Sequence, residues 1–131
     1  MTVTLRYAGV VDRDQLQAHG GLAPSTDNKV LLSGQEPGVA RDFVVIRAWD
    51  DVGSGFEEGW RLEDPHGQVV YTGTPRTVLA EDGEVHDEVQ GVRFDYADTG
   101  FQLVFDVDGE EAARARFDVA VASEGTPTSA T

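Results

Sequence analysis

The sequence contains no cysteine among its 131 residues. This absence excludes a disulfide framework, a thiolate metal site and a thiol nucleophile. Long apolar runs are also missing, since no stretch approaches the ~20 residues that a membrane-spanning helix needs. The first residues, MTVTLRYAGV, lack the basic and apolar regions of a secretion signal. We therefore expect a cytoplasmic protein that does not associate with membranes.

Basic residues are scarce. The chain has 24 acidic and 10 basic residues, a net charge of −14, and Lys29 is its only lysine. Such a surface repels nucleic-acid phosphates and anionic lipid, and it attracts basic partners. The acidic residues are spread over every loop, which argues against an aligned imitation of nucleic-acid phosphates. The composition predicts no nucleic-acid and no membrane partner.

Helix signals are few, and the best is one short turn in DRDQLQAHGG, before the two glycines stop it. Period-two alternation of apolar and polar residues dominates instead, as in a strand with one buried face. DFVVIRAWD differs, because Phe43 to Ile46 are continuously apolar, which predicts a central strand covered on both faces. The predicted strands are TVTLRYA, DFVVIRAWD, GWRLED, QVVYTG, GVRFDYA, FQLVFDV and ARARFDVAV, with KVLLS and PRTVLA as further candidates.

About seven or eight short strands separated by turn residues predict an all-β fold, an antiparallel immunoglobulin-like β-sandwich. A small β-barrel is the alternative. We expect residues 1–122 to form this single domain, with a long connection over residues 20–41. Residues 123–131 are small and polar, and we expect them to form a disordered C-terminal tail.

The stretch FDVDGEEAARARF, residues 105–117, tests whether an acidic glycine loop is a calcium site or a turn. The glycine lies too early for a calcium-binding EF-hand loop, so a hairpin turn is predicted. A two-residue Asp108-Gly109 loop would turn Arg114 and Arg116 into the core, because cross-strand partners share a face. We therefore predict a three-residue loop over residues 107–109, with positive φ at Gly109 and both arginines facing outward.

GWRLEDPHGQVVYTG resembles the strand–turn–strand unit of small bacterial immunoglobulin-like domains of unknown function. TGFQLVFDVDGEEAARARFDVAV resembles their last hairpin, and the match spans roughly residues 59–121, about half of the chain. The resemblance implies the fold and carries no catalytic or ligand residue. The antibody-type cysteine pair is absent, and Gln102 stands where such domains often have a tyrosine.

The segment EDGEVHDE, residues 81–88, packs five carboxylates and His86 into eight residues. Its spacing matches no known metal loop, so we predict a solvated acidic loop, no metal and no cofactor. The nearest candidates for a hard cation are Glu81, Asp82, Glu84 and Asp87. His66 lies in an Asp-Pro-x-Gly turn, and His19 has no partner at ligand spacing. The sequence also contains no known catalytic motif. The chain is predicted not to be an enzyme.

AWDDVGSGFEEGW, residues 48–60, holds two tryptophans around a flexible acidic loop. We expect Trp60 in the core, Trp49 in the core or on the surface, and Phe56 exposed at the loop tip. Loops of this kind on a rigid sandwich carry binding sites. The predicted binding residues are Trp49, Asp50, Asp51, Phe56, Glu57 and Glu58.

These observations predict a non-catalytic module for protein–protein interaction, or a structural accessory role in an assembly. The partner is an unknown protein or a second copy of the chain. The alternative is a calcium- or carbohydrate-binding module that uses the acidic and aromatic loops. The sequence leaves these readings open.

Overall fold

The structure, a computed structural model, is described for residues 3–14, 28–32 and 38–121. In these residues the chain forms nine strands and a short 3₁₀ turn at Ala80–Asp82. The strands are β1 (Thr4–Asp12), β2 (Lys29–Leu32), β3 (Phe43–Asp50), β4 (Phe56–Glu63), β5 (Val69–Thr72), β6 (Arg76–Val78), β7 (Glu84–Val89), β8 (Asp98–Val107) and β9 (Glu110–Val121). Across the same ranges no helix has the length and apolarity that a membrane span would need.

The strands form two sheets, one with the order β1-β3-β7 and one with the order β2-β9-β8-β4-β5, in which β6 also pairs with β4. One of the two sheets curls into a half-barrel. The predicted all-β class is confirmed, whereas the immunoglobulin-like arrangement stays a prediction. The expectation of a wholly antiparallel fold is wrong, because β2 pairs with β9 in parallel. Short parallel pairing is possible here because β2 and β9 are joined through the other strands rather than by a hairpin.

β3 lies at the centre of the three-stranded sheet, and every residue from Phe43 to Trp49 is buried. Its inward positions join the main core between the sheets. Val44 and Ile46 point to the other face and belong to a second small cluster with Val11. The prediction of a central strand covered on both faces is confirmed.

Residues 91–97 do not form the predicted strand. Arg93 makes an isolated bridge with Val39, and the rest of the segment is irregular. Val92 and Phe94 are nevertheless buried, while Arg93 and Asp95 are exposed. The alternation thus predicted which side chains are buried, but alternation alone does not supply the neighbouring strand that a ladder requires.

The predicted turn between GWRLED and QVVYTG is confirmed. The Gly67 N–H donates to the Asp64 carbonyl at 2.9 Å, and Gly67 has a φ of 85°. The Asp64 carboxylate also accepts hydrogen bonds from the backbone N–H groups of His66 and Gln68. These two bonds hold the pKa of Asp64 below its ordinary value.

The β8–β9 hairpin corrects the predicted loop length. Val107 pairs with Glu110, so the loop has two residues, and Asp108 and Gly109 both have positive φ, as a type I′ turn requires. The register then shifts between Phe105 and Asp106, which leaves Ala112 as the extra residue of a bulge.

The bulge returns the apolar residues of β9 to the buried face of the sheet. Leu103 pairs with Ala115 and Phe101 with Phe117, so the apolar row stays buried. Arg114 and Arg116 are exposed, as predicted. The extra residue was expected in the loop, and the chain places it three residues later in the strand.

The segment after Asp14, the histidine at position 19, most of the 20–41 connection and the 123–131 tail lie outside the described residues.

Candidate functional site

The predicted binding loop does not present its aromatic residues. Trp49 is 7% exposed and Phe56 is 5% exposed, so the expectation that Phe56 is exposed is wrong. Their rings pack edge to face with centroids 5.1 Å apart. Phe56 begins β4 rather than ending the loop, and its side chain shares the core-facing side with Trp60.

The carboxylates of that loop do not converge. Asp50 accepts a hydrogen bond from Arg6 Nε at 2.9 Å, and this guanidinium lowers the pKa of the Asp50 carboxyl. Asp51 is exposed, and Glu57 accepts a hydrogen bond from the Thr77 hydroxyl. Glu58 instead points into the core and is fully buried. A binding role for the exposed members stays a prediction.

The prediction of a solvated acidic loop over residues 81–88 is wrong for residues 84–88, which belong to strand β7, and the acidic side chains of the segment have separate partners. Asp82 accepts the Leu79 backbone N–H at 2.8 Å in the 3₁₀ turn. Glu84 accepts the Tyr7 hydroxyl, which raises the tyrosine pKa, and it lies 2.6 Å from His86 Nε2. Within residues 3–14, 28–32 and 38–121, no group of three or more acidic or histidine side chains is placed to hold a metal ion.

Two opposite charges lie between the sheets. Arg47 of β3 and Glu58 of β4 are both 0% exposed. Arg47 Nε donates to Glu58 Oε2 at 2.9 Å, and Nη2 donates to Oε1. Glu58 Oε2 also accepts Trp49 Nε1 at 2.8 Å. Buried charges are tolerated only when paired and hydrogen-bonded, and this pair meets that condition.

Asp87 of β7 extends this pair towards the surface. Its Oδ2 accepts Arg47 Nη2 at 3.1 Å and Trp60 Nε1 at 2.8 Å. Its Oδ1 accepts Arg76 Nη1 at 3.1 Å. The result is a chain of alternating charges, Glu58–Arg47–Asp87–Arg76, which ends at a side chain that is 40% exposed. We call it the ion-pair chain.

A cleft of about 340 Å³ opens at the surface end of the ion-pair chain, beside Asp87 and Arg76. It lies between the sheets and takes its lining from β7 on one side and from β4 and the β5–β6 region on the other. The lining residues are Trp60, Tyr71, Thr74, Pro75, Arg76, His86, Asp87 and Glu88. Its volume is at the lower end of the ~300–1,000 Å³ of ligand pockets. A side chain or a small molecule fits it.

The aromatic part of the cleft is fixed by close packing. The Trp60 and Tyr71 rings lie 5.8 Å apart. A Cβ added to Gly73 would stand 2.1 Å from Trp60 Cε2, so only glycine lets the backbone approach the indole this closely. The Gly73 N–H also donates to the Trp60 carbonyl at 2.9 Å.

The two sheets meet differently at their two ends. At one end β1 lies against β2, and the Val10 N–H donates to Asn28 Oδ1 at 3.1 Å. At the other end is β7, which among the described strands pairs only with β3. We call the side of β7 that faces away from β3 the β7 edge. His86, Asp87 and Glu88 are consecutive residues of β7, so the cleft runs beside this edge.

Glu58 and Asp87 were named from the sequence as candidates for two separate sites, but Arg47, which joins them, was not singled out. A signal was present, because Arg47 interrupts the apolar run of a buried strand and such a charge needs a partner. Glu58 also occupies the same alternation as Phe56 and Trp60. What the sequence did not show is that these positions, with Asp87, meet across the two sheets.

Comparisons with protein-family models, with curated proteins and with solved structures find no match to this chain. The fold and the site therefore define the chain only as an all-β domain of two sheets with an aromatic and charged cleft beside a strand edge.

Proposed function

We propose that the chain is a non-catalytic β-sandwich module that binds an extended segment of a partner protein along the β7 edge. The observation that carries the proposal is the position of the cleft beside this edge. A strand edge presents backbone N–H and C=O groups on which another strand can add. Strand addition gives affinity through these groups, and a neighbouring pocket gives specificity for one side chain.

The geometry of the site suits this mode of binding. β7 has six residues, and three of them line the cleft. Hydrogen bonds of Arg47 and Trp60 join β3 and β7 to β4, so the two sides of the cleft are held together without the Arg76 contact. A held cleft reduces the conformational entropy that binding would otherwise cost.

Charge favours a basic partner over a second copy of the chain. Glu84 and Glu88 lie on β7, and the whole chain has a net charge of −14. Pairing two β7 edges would bring the carboxylates of both copies to one seam, where like charges repel. A basic segment would instead gain from the same field.

The carbohydrate-binding alternative loses its first support, because Trp49 is buried. The cleft gives the carbohydrate-binding alternative a second support, since Trp60 and Tyr71 line it together with Asp87. However, Trp60 is only 3% exposed and so presents little ring face for stacking a sugar. An immunoglobulin-like arrangement and a cytoplasmic location stay predictions from the sequence.

Peptide selection tests the proposal. Random peptides displayed on phage are selected on the purified chain, and the strongest binder is titrated into ¹⁵N-labelled protein. We expect amide shifts concentrated on β7 and the cleft. We also expect that N-methylation of alternate peptide amides abolishes binding, because strand addition uses every second peptide N–H.

Two charge reversals provide a matched pair for the same titration. Glu88→Lys should weaken binding of a basic peptide, whereas Asp95→Lys changes the net charge equally at an exposed position outside the cleft. Thermal melts of both variants check that they remain folded. Shifts that map away from β7, or a binder that tolerates every N-methylation, would show that the proposal is wrong.

A further inference from the structure

We infer that the side chain entering the cleft is an arginine, which replaces Arg76 on Asp87. This inference rests on the proposed strand addition and specifies the chemistry of the partner segment. The bound segment would then be recognised by its backbone along the β7 edge and by one guanidinium in the cleft.

The two oxygens of Asp87 differ in how they are held. Oδ2 accepts from the buried Arg47 and from the Trp60 indole, so it belongs to the interior of the fold. In the described residues Oδ1 accepts only from Arg76, at 3.1 Å. Asp87 is 21% exposed, which leaves this oxygen at the boundary between the core and the cleft.

Arg76 satisfies Asp87 incompletely. It gives the carboxylate one hydrogen bond from Nη1, while its Nε is buried without a hydrogen-bond partner in the described structure. A guanidinium is strongest when it binds a carboxylate through two parallel hydrogen bonds. The strand that carries Arg76 has three residues and pairs only with β4 among the described strands. The contact is therefore weak enough to be exchanged.

An incoming guanidinium finds complementary chemistry. It would approach the Oδ1 side of Asp87 beside the half-buried Tyr71 ring, where a flat cation gains from the aromatic face. Glu88, next along β7, pairs across the ladder with Val44, and its carboxylate accepts from Arg13 on that other face, so Asp87 is the carboxylate that would receive the guanidinium. Arg76 already places a guanidinium on Oδ1, so it acts as an internal competitor for the ligand.

The test uses three acetylated and amidated heptapeptides, Thr-Val-Thr-Xaa-Thr-Val-Thr, in which Xaa is arginine, lysine or citrulline. Citrulline keeps the shape of arginine without its charge. The dissociation constants are measured by ¹⁵N NMR titration of the full chain. We expect the arginine peptide to bind at least about tenfold more tightly than the citrulline peptide, because a charge-assisted bond is lost.

Arg76→Ala supplies the second measurement, and Arg116→Ala is its control. Both remove one positive charge, but the exposed Arg116 lies outside the cleft. Arg76→Ala should tighten binding of the arginine peptide by about two- to fivefold, the effect of one partly exposed ion pair. It should leave citrulline binding unchanged, and Arg116→Ala should alter neither peptide.

Each outcome has a distinct meaning. If citrulline or lysine binds as tightly as arginine at β7, the inference fails and strand addition survives. If none of the peptides binds and none is selected from a library, both fail. Equal effects of Arg76→Ala and Arg116→Ala would overturn the role of Arg76 as a competitor.

Discussion

Breaking the buried pair between Arg47 and Glu58 should be the most damaging single change in the core. In Glu58→Leu, Arg47 loses two of its hydrogen bonds and keeps one to Asp87 and one, at 3.3 Å, to the Val45 carbonyl. Removing one partner of a buried ion pair costs about 3–5 kcal/mol, because the other charge stays buried. Small domains are stable by about 5–15 kcal/mol, so much of the stability would be lost.

Replacing both partners should recover most of that loss. The double variant Arg47→Met, Glu58→Leu removes both fully buried charges from between the sheets. Trp49 Nε1 loses its acceptor in both variants, so this cost of about 1–3 kcal/mol is common to the two. Asp87 keeps its bonds from Trp60 and Arg76. We therefore expect the double variant to be more stable than Glu58→Leu alone.

Urea denaturation at pH 7 measures these free energies of unfolding. Glu57→Leu, at the exposed position next to Glu58, is the matched control and should change stability by about 0.5 kcal/mol or less. The reasoning would be refuted by a loss below about 1 kcal/mol for Glu58→Leu. It would equally fail if the double variant were no more stable than Glu58→Leu.

Three further changes test other parts of the structure. Gly73→Ala should cost about 1–3 kcal/mol and alter tryptophan fluorescence, because its Cβ would overlap Trp60; unchanged melting would contradict the packing. In Gly109→Ala the added Cβ meets no neighbouring atom, so only the backbone strain at a φ of 88° should lower the free energy of unfolding, by about 1 kcal/mol in urea denaturation. A much larger loss would contradict the open space around this position. Asp64 has a lowered pKa, so its contribution is present above about pH 4 and is lost as pH falls through the folded value. Asp64→Asn keeps the acceptor without the charge and should flatten the loss of stability in acid, measured by melts from pH 5 to pH 2; a curve parallel to the wild type would count against this assignment.

The β8–β9 hairpin shows what the alternation of apolar and polar residues can predict and what it cannot. Because side chains change face at every residue, the positions of Phe101, Leu103 and Phe117 require one extra residue between β8 and β9. That requirement follows from the sequence and is met. A loop residue and a strand bulge satisfy it equally well, so the position of the extra residue was not predictable from alternation.

Burial was predicted better than pairing. The segment 91–97 has the alternating burial of a strand but lacks the ladder, since a strand exists only where a neighbour offers hydrogen bonds. The prediction that Phe56 is exposed was wrong for a related reason. Its exposure depends on where β4 begins, and β4 includes Phe56 because its first residues pair with β6.

The sequence by itself determined the all-β class, the buried central strand, the Asp64–Gly67 turn and the outward arginines of β9. Each of these follows from local periodicity or turn chemistry, which act over a few residues. Only the tertiary structure decided that Arg47, Glu58 and Asp87 meet, and that the cleft opens beside β7. These residues lie on three strands in two sheets, and their contacts depend on which strands become neighbours, which local periodicity does not specify.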